Sequence, residues 1–209
     1  MKRRAFLAGA GAALFVAGRA EADDVSDALA AIAKARADLK TLVAPFSQER
    51  VIGLLASSVK SEGEMTMVRP DRLRWELKAP DDAVYWIGPE GLSYKTKEGG
   101  GSVGKAGAAR FGAVLSDLLT LVGGDLERLR ARYELSIPSR DGGITLAARP
   151  KTEDVKKLVK GLELKLAPDL WSARRVVLEE ASGDRSVITF GAAARDVKVD
   201  PARMVPPKG

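Results

Sequence analysis

By type and spacing, the side chains best suited to acid–base work are the carboxylates of Glu62, Glu64, Glu76, Asp81 and Asp82. Paired carboxylates catalyse when their surroundings push their pKa values apart. Here they alternate with Thr, Arg and Lys, the pattern of a solvated strand face. The chain has no histidine and no cysteine, which removes the usual general base, the commonest transition-metal ligand and any thiolate. No serine sits in a nucleophile elbow, and Gly99-Gly100-Gly101 does not follow the strand-to-helix pattern of a phosphate loop. The expectation is a protein without catalysis, cofactor or metal. Lacking cysteine, it is also expected to hold no disulfide and not to be lipidated itself at an export signal.

The remaining chemistry is apolar, and it depends on the elements that carry it. Met65 and Met67 share one face of a strand pattern over Ser57 to Val68, while Glu62, Glu64 and Thr66 share the other. Arg72 to Lys78 alternates Leu73, Trp75 and Leu77 against Arg72, Arg74, Glu76 and Lys78. Ala83 to Ile87 and Leu92 to Thr96 continue the series across Gly88-Pro89-Glu90-Gly91. The phase of Ala83 to Ile87 is open, so that Tyr85 competes with Trp86 for the dry face. Phe46 to Ile52 precedes these strands, and an amphipathic helix over Asp24 to Leu42 precedes that, with Pro45 marking its end.

Residues 97–107, rich in Gly and Lys, read as a mobile loop. Phe111 to Val122 reads as a second helix with an apolar stripe of Val114, Leu115, Leu118, Leu119 and Val122, stopped by Gly123-Gly124. A short helix through Arg130 follows. Strands resume over Tyr133 to Ile137, Ile144 to Ala148, Leu162 to Leu166, Ala173 to Glu180 and Arg185 to Phe190, with hairpin turns at Asp141-Gly142-Gly143 and Ser182-Gly183-Asp184. Lys151 to Lys160 reads as a helical turn. Helix, meander, helix, meander gives an α+β domain. One strongly curved antiparallel sheet with helices on its concave side accounts for so many strands with a single dry face.

The first 22 residues read as an export signal. Lys2-Arg3-Arg4 precedes a weakly apolar stretch, and Ala20-Glu21-Ala22 fits a small-x-small cleavage site before Asp23. Arg3-Arg4 with Phe6-Leu7 resembles a twin-arginine signal, without the Ser or Thr that usually precedes it. The division is therefore 1–22 signal and 23–209 domain, and the expected location is the periplasm. The formal charge of +6 falls to +3 in the domain, with 30 basic against 27 acidic residues. So small and dispersed a charge argues against nucleic-acid binding.

Several stretches, in order, resemble the outer-membrane lipoprotein carrier family of LolA type: Leu42-Val43-Ala44-Pro45-Phe46-Ser47-Gln48; Gly63 to Pro70 followed by Leu73-Arg74-Trp75; Tyr85 to Tyr94; Leu178-Glu179 with Gly183-Asp184-Arg185-Ser186, Ile188 and Phe190; and Asp200-Pro201 with Met204-Val205. The family usually has an aromatic residue where this chain has Met204, and the chain ends at Gly209 without the C-terminal extension of the best-known carriers.

The resemblance implies an incomplete barrel with lid helices over a hydrophobic cavity that takes up lipoprotein acyl chains. It implies an inner-membrane transporter and an outer-membrane receptor as partners. On that basis Met65, Met67, Leu73, Trp75, Leu77, Val84 and Trp86 are expected on the sheet side of the cavity, and Leu115, Leu118, Leu119 and Val122 on the lid side. Arg69 corresponds to the family arginine that hydrogen-bonds the lid; an Arg before Pro at a turn is otherwise a solvated residue. The chain is expected to act as a monomer. A different lipid or glycolipid as client, and a binding module of the same fold with a filled interior, are the alternatives.

Overall fold

Residues 12–53, 57–104, 117, 120 and 126–207 are described by the structure, a computed structural model, with the side chains of 12–22 and 103–104 left aside. The first element is α1 (Ala12–Ala35). Val25, Ala28, Leu29 and Ile32 fall on one stripe of it and are buried. The helix begins before Asp24 and runs through the position expected for cleavage. It stops at Ala35, short of the expected Leu42. Leu39 is still buried, but in the turn that follows, and Leu42 already belongs to a strand, where it pairs with Met67.

Twelve strands follow: β1 (Thr41–Ile52), β2 (Ser57–Val68), β3 (Arg72–Leu77), β4 (Ala83–Gly88), β5 (Gly91–Lys95), β6 (Gly100–Gly104), β7 (Tyr133–Ser139), β8 (Thr145–Pro150), β9 (Val159–Leu166), β10 (Ala173–Glu180), β11 (Arg185–Phe190) and β12 (Ala194–Arg195). They form one antiparallel sheet in the order β6-β5-β4-β3-β2-β1-β11-β10-β9-β8-β7, with β12 pairing the start of β1. The path is linear, with β6 and β7 at its two ends, so the barrel is incomplete. Short helices α2 (Leu126–Arg130) and α3 (Glu153–Lys156) and a 3-10 turn at Pro201–Met204 complete the described elements.

Three differences from the sequence reading have physical causes. Pro45 does not end the helix; it lies inside β1. Leu42 and Val43 pair with β12, whereas pairing to β11 starts at Phe46, so Pro45 sits where the neighbour changes and no amide donor is required. Residues 100–104, expected as loop, pair with β5 as β6; a Gly-rich strand held by backbone bonds alone carries no period-two signal. The segment Lys151 to Lys160 is α3 followed by the start of β9, which begins before the expected Leu162. Gly142, Gly143 and Gly183 adopt the positive φ that their hairpin turns require.

Of the second predicted helix only Asp117 and Thr120 are described, both in helical conformation. Leu115, Leu118, Leu119 and Val122 lie outside the described residues.

Candidate functional site

Residues paired across antiparallel strands point to the same side, so the register assigns the inner face. One row runs Leu42–Met67–Leu73–Ile87–Leu92. A second runs Ala44–Met65–Trp75–Tyr85–Tyr94, and a third Phe46–Gly63–Leu77–Ala83. Met65, Met67, Leu73, Trp75 and Leu77 are thus brought together as expected from the sequence, four of them buried and Leu77 half-buried.

Val84 and Trp86 are corrected: both lie on the opposite, outer face. The connection 78–82 pairs Leu77 with Ala83, which sets Tyr85 opposite Trp75 and Trp86 opposite Arg74. Tyr85 is the inward residue. Counting residues through that connection was the signal that could have fixed the phase.

The middle of the inner face is aromatic. The Phe46 and Trp75 rings stack with centroids 3.9 Å apart, and Phe190 meets both edge-on at 6.3 and 6.2 Å. Gly63 makes this stack possible: a Cβ there would come within 2.4 Å of the Phe46 ring and 2.1 Å of the Glu76 carbonyl oxygen. Across the sheet on the other side of β1, Ile188, Val176, Leu164 and Leu146 form a continuing inner row, and Leu146, Leu164 and Val176 are completely shielded from solvent. Helix α1 lies against β7 at this end. Arg130 donates to the Ser26 hydroxyl at 2.9 Å, and Arg140 bonds Asp24.

Arg69 closes the far end of α1. Its guanidinium donates to the carbonyl of Arg36, in the turn immediately after the helix, and its backbone N–H donates to the Lys40 carbonyl at 2.9 Å. The β2–β3 turn is thereby tied to the helix by its Arg. The side chain of Arg36 is buried. Loss of hydration, then the like charge of Arg69, bring its pKa down to about 10, against the opposing field of Asp169.

Asp117, at the position predicted for the second helix, is a further anchor that the sequence reading missed. Its buried carboxylate accepts from the Tyr133 hydroxyl at 2.6 Å and from Arg132 at 2.7 Å. Burial pushes the carboxyl up, while Tyr133 and Arg132 act to lower it. The Tyr133 phenol is driven well above its usual range by burial and by Asp117.

The outer face of β2 to β4 is covered by the closing segment. Trp86 Nε1 donates to the Arg203 carbonyl at 2.9 Å, Arg203 reaches Glu64 at 3.1 Å and Glu76 at 3.3 Å, and Met204 is buried. The hydrogen bond from Arg74, opposed by partial burial, leads the causes that hold Glu76 below the usual carboxylate range. Asp81 accepts from Ser61, and Asp82 pairs with Lys97 at 3.0 Å. The carboxylates that first suggested acid–base work are thus engaged in ion pairs and hydrogen bonds on the outer face and in turns, with Glu62 exposed. Among the described residues, no group of three acidic side chains is placed to hold a metal ion, and no helix is long and apolar enough to cross a membrane.

The family profile described as Outer membrane lipoprotein carrier protein LolA matches residues 37–85. The Outer-membrane lipoprotein carrier protein of Alkalilimnicola ehrlichii is 30% identical over 160 residues, which are 72% of this chain. The chain belongs to the LolA-type lipoprotein carrier family. The match spans 66% of the relative's own length, just under two thirds.

The profile match takes in β1, β2, β3 and the first residues of β4. It therefore contains Arg69, Met65, Met67, Trp75 and Tyr85, so the LolA-type signature lies on the inner face and its helix tie. Solved structures share the architecture at lower identity. A DUF1329 family protein from Desulfovibrio piger superposes with a TM-score of 0.51 at 9% identity, covering 87% of this chain and 97% of that one. MucB superposes with a TM-score of 0.51 at 18% identity, covering 88% of this chain and 63% of its own. These two likenesses establish the fold alone.

Proposed function

We propose that this chain is a periplasmic carrier that takes acyl chains of lipidated proteins onto its inner sheet face and passes them from the inner to the outer membrane. The observation that carries the reading is the cross-strand row Met65–Trp75–Tyr85–Tyr94. It begins sealed at Met65, 1% exposed, and ends open at Tyr94, 38% exposed. An acyl chain of about sixteen carbons resists leaving a bilayer by roughly 12 kcal/mol at about 0.8 kcal/mol per methylene. A carrier must recover much of that by apolar contact, without holding so tightly that delivery stalls. Met65 and Met67 suit such contact, because the unbranched thioether adapts to irregular ligands. Leu115, Leu118, Leu119 and Val122 are proposed as the lid side of the same site. A transporter in the inner membrane and a receptor in the outer membrane are the partners this role requires.

Arg69 is proposed as the lock on the helix. Its fork of donors can hold a carbonyl at the end of α1 while the turn beneath stays fixed. Arg69→Leu is expected to leave the sheet intact, to raise amide exchange through residues 32–40, and to slow release of a bound lipopeptide in a reconstituted transfer assay. Release and exchange at wild-type rates in the variant contradict this role.

The test of the function itself is native mass spectrometry of the protein purified from its own periplasm. A carrier retains a lipid or acylated peptide, or binds a fluorescent acyl probe with saturation. A filled binding module of the same fold does neither.

A further inference from the structure

The acyl site has a chemical gradient along its central row. Ala44, Met65 and Trp75 offer only hydrocarbon, methionine sulfur and an indole, whereas the next two inner positions are Tyr85 and Tyr94, direct cross-strand partners. The flanking rows remain apolar at the same strands, with Ile87 and Leu92 on one side and Ala83 on the other. Phenols therefore occur where the inner face opens, in the row that leads out from the aromatic stack.

Their setting keeps them in place as donors. The partner of Tyr94 on β6 is Gly101, and a Cβ there would lie 3.2 Å from the Tyr94 hydroxyl and 3.3 Å from its ring. The tyrosine ring thus rests over bare backbone, at a position where a side chain would lift it. Burial, Asp81 and Tyr94 all push the Tyr85 phenol up, so it stays protonated through the physiological range. An acyl ester is hydrocarbon along its length and bears its hydrogen-bond acceptors at one end, the carbonyl oxygens. A dry row ending in phenol donors matches that order of groups.

We propose that Tyr85 and Tyr94 form a polar rim that hydrogen-bonds the ester carbonyls of an acylated peptide whose chains lie along Trp75 and Met65. This rests on the carrier reading and adds what orients the client: the chains enter past β5 and the peptide remains outside. The rim also sets a preference, because an acyl chain joined by ether linkage presents no carbonyl.

The test uses the full chain and two fluorescent probes, a dipalmitoylated peptide and its dialkyl ether counterpart. One hydrogen bond is worth about a three- to tenfold change in affinity. The wild type is expected to favour the ester by that factor. Tyr94→Phe, and more fully Tyr85→Phe with Tyr94→Phe, are expected to erase the preference while leaving ether binding unchanged. Tyr94→Phe alone decides the matter if the double variant misfolds, since it keeps the ring over Gly101. Equal affinity of the wild type for both probes, or variants that weaken both alike, overturns the rim and leaves the carrier reading standing. Failure of the wild type to bind either probe overturns both. A tyrosine effect confined to a dipalmitoyl phospholipid overturns the assignment to a lipidated peptide.

Discussion

The two halves of the sheet bury their inner faces differently. From β8 to β10 the row of Leu146, Leu164 and Val176 is fully shielded. From β3 to β5 the equivalent row opens progressively through Tyr85 to Tyr94. The strands have the same pleat and the same alternation, so the contrast comes from what lies against them. Helix α1 packs beside β7 and buries Ile32, Ala28 and Leu29 at that end. One half of the molecule therefore acts as core, and the other is available for hydrocarbon that is not its own. Division of labour within one sheet lets a carrier stay folded whether loaded or empty.

Substitutions should separate the halves, and the largest effect is expected in the sealed one. Leu164→Ala removes a side chain with no solvent access, which costs about 2–5 kcal/mol in a tightly packed core. Denaturant unfolding should show that loss, with acyl-probe affinity at fixed folded fraction unchanged. A variant that keeps its stability while losing probe affinity would place the ligand in the wrong half.

A smaller effect is expected at Tyr133. Its hydroxyl is the donor to the buried Asp117 carboxylate, and Tyr133→Phe leaves that acceptor short of a partner, at a cost of about 1–3 kcal/mol. The folded phenol has a raised pKa, so the stability it contributes is complete below the unfolded value near about 10 and is lost as pH rises beyond it. Melting temperatures measured from neutral pH to about pH 11 should fall for the wild type more steeply than for Tyr133→Phe. Parallel curves would dissociate Tyr133 ionisation from stability.

The smallest effect is expected on the outer face, where Arg203 bridges Glu64 and Glu76 in partly exposed pairs. Such pairs are worth at most about 1 kcal/mol. Because Glu76 is held below its usual range, its contribution is present above the unfolded carboxylate value and disappears as pH falls through the lower folded one. Arg203→Ala should lower stability slightly at neutral pH, should shift Trp86 emission, and should remove part of the acid-induced loss. An acid profile identical to the wild type would show that the closing segment is held by Met204 and backbone bonds alone.

The sheet was legible because its strands keep strict alternation: Leu73-Arg74-Trp75-Glu76-Leu77 can pair only with its dry side inward. Arg69 was legible through the family resemblance; as a residue before proline it looks like any turn. The strand β6 escaped notice because Gly100-Gly101-Ser102 offers no side-chain pattern, and Trp86 was placed inside because a large aromatic outweighed the count of residues in the preceding turn. Asp117 and Tyr133 belong to elements 16 residues apart in sequence, and nothing local to either signals that they meet. Long-range polar pairs of this kind depend on how the elements pack, which periodicity does not encode.

The three tryptophans allow the division of the sheet to be read directly, since Trp75 lies inside, Trp86 outside and Trp171 in the β9–β10 turn. In a Trp86→Phe/Trp171→Phe variant, titration with a bromine-labelled acyl chain should quench the remaining Trp75 emission with saturation. In a Trp75→Phe/Trp171→Phe variant, Trp86 should be unaffected at the same concentrations. Quenching of Trp86 with Trp75 untouched would contradict the assignment of hydrocarbon to the inner face between β3 and β5.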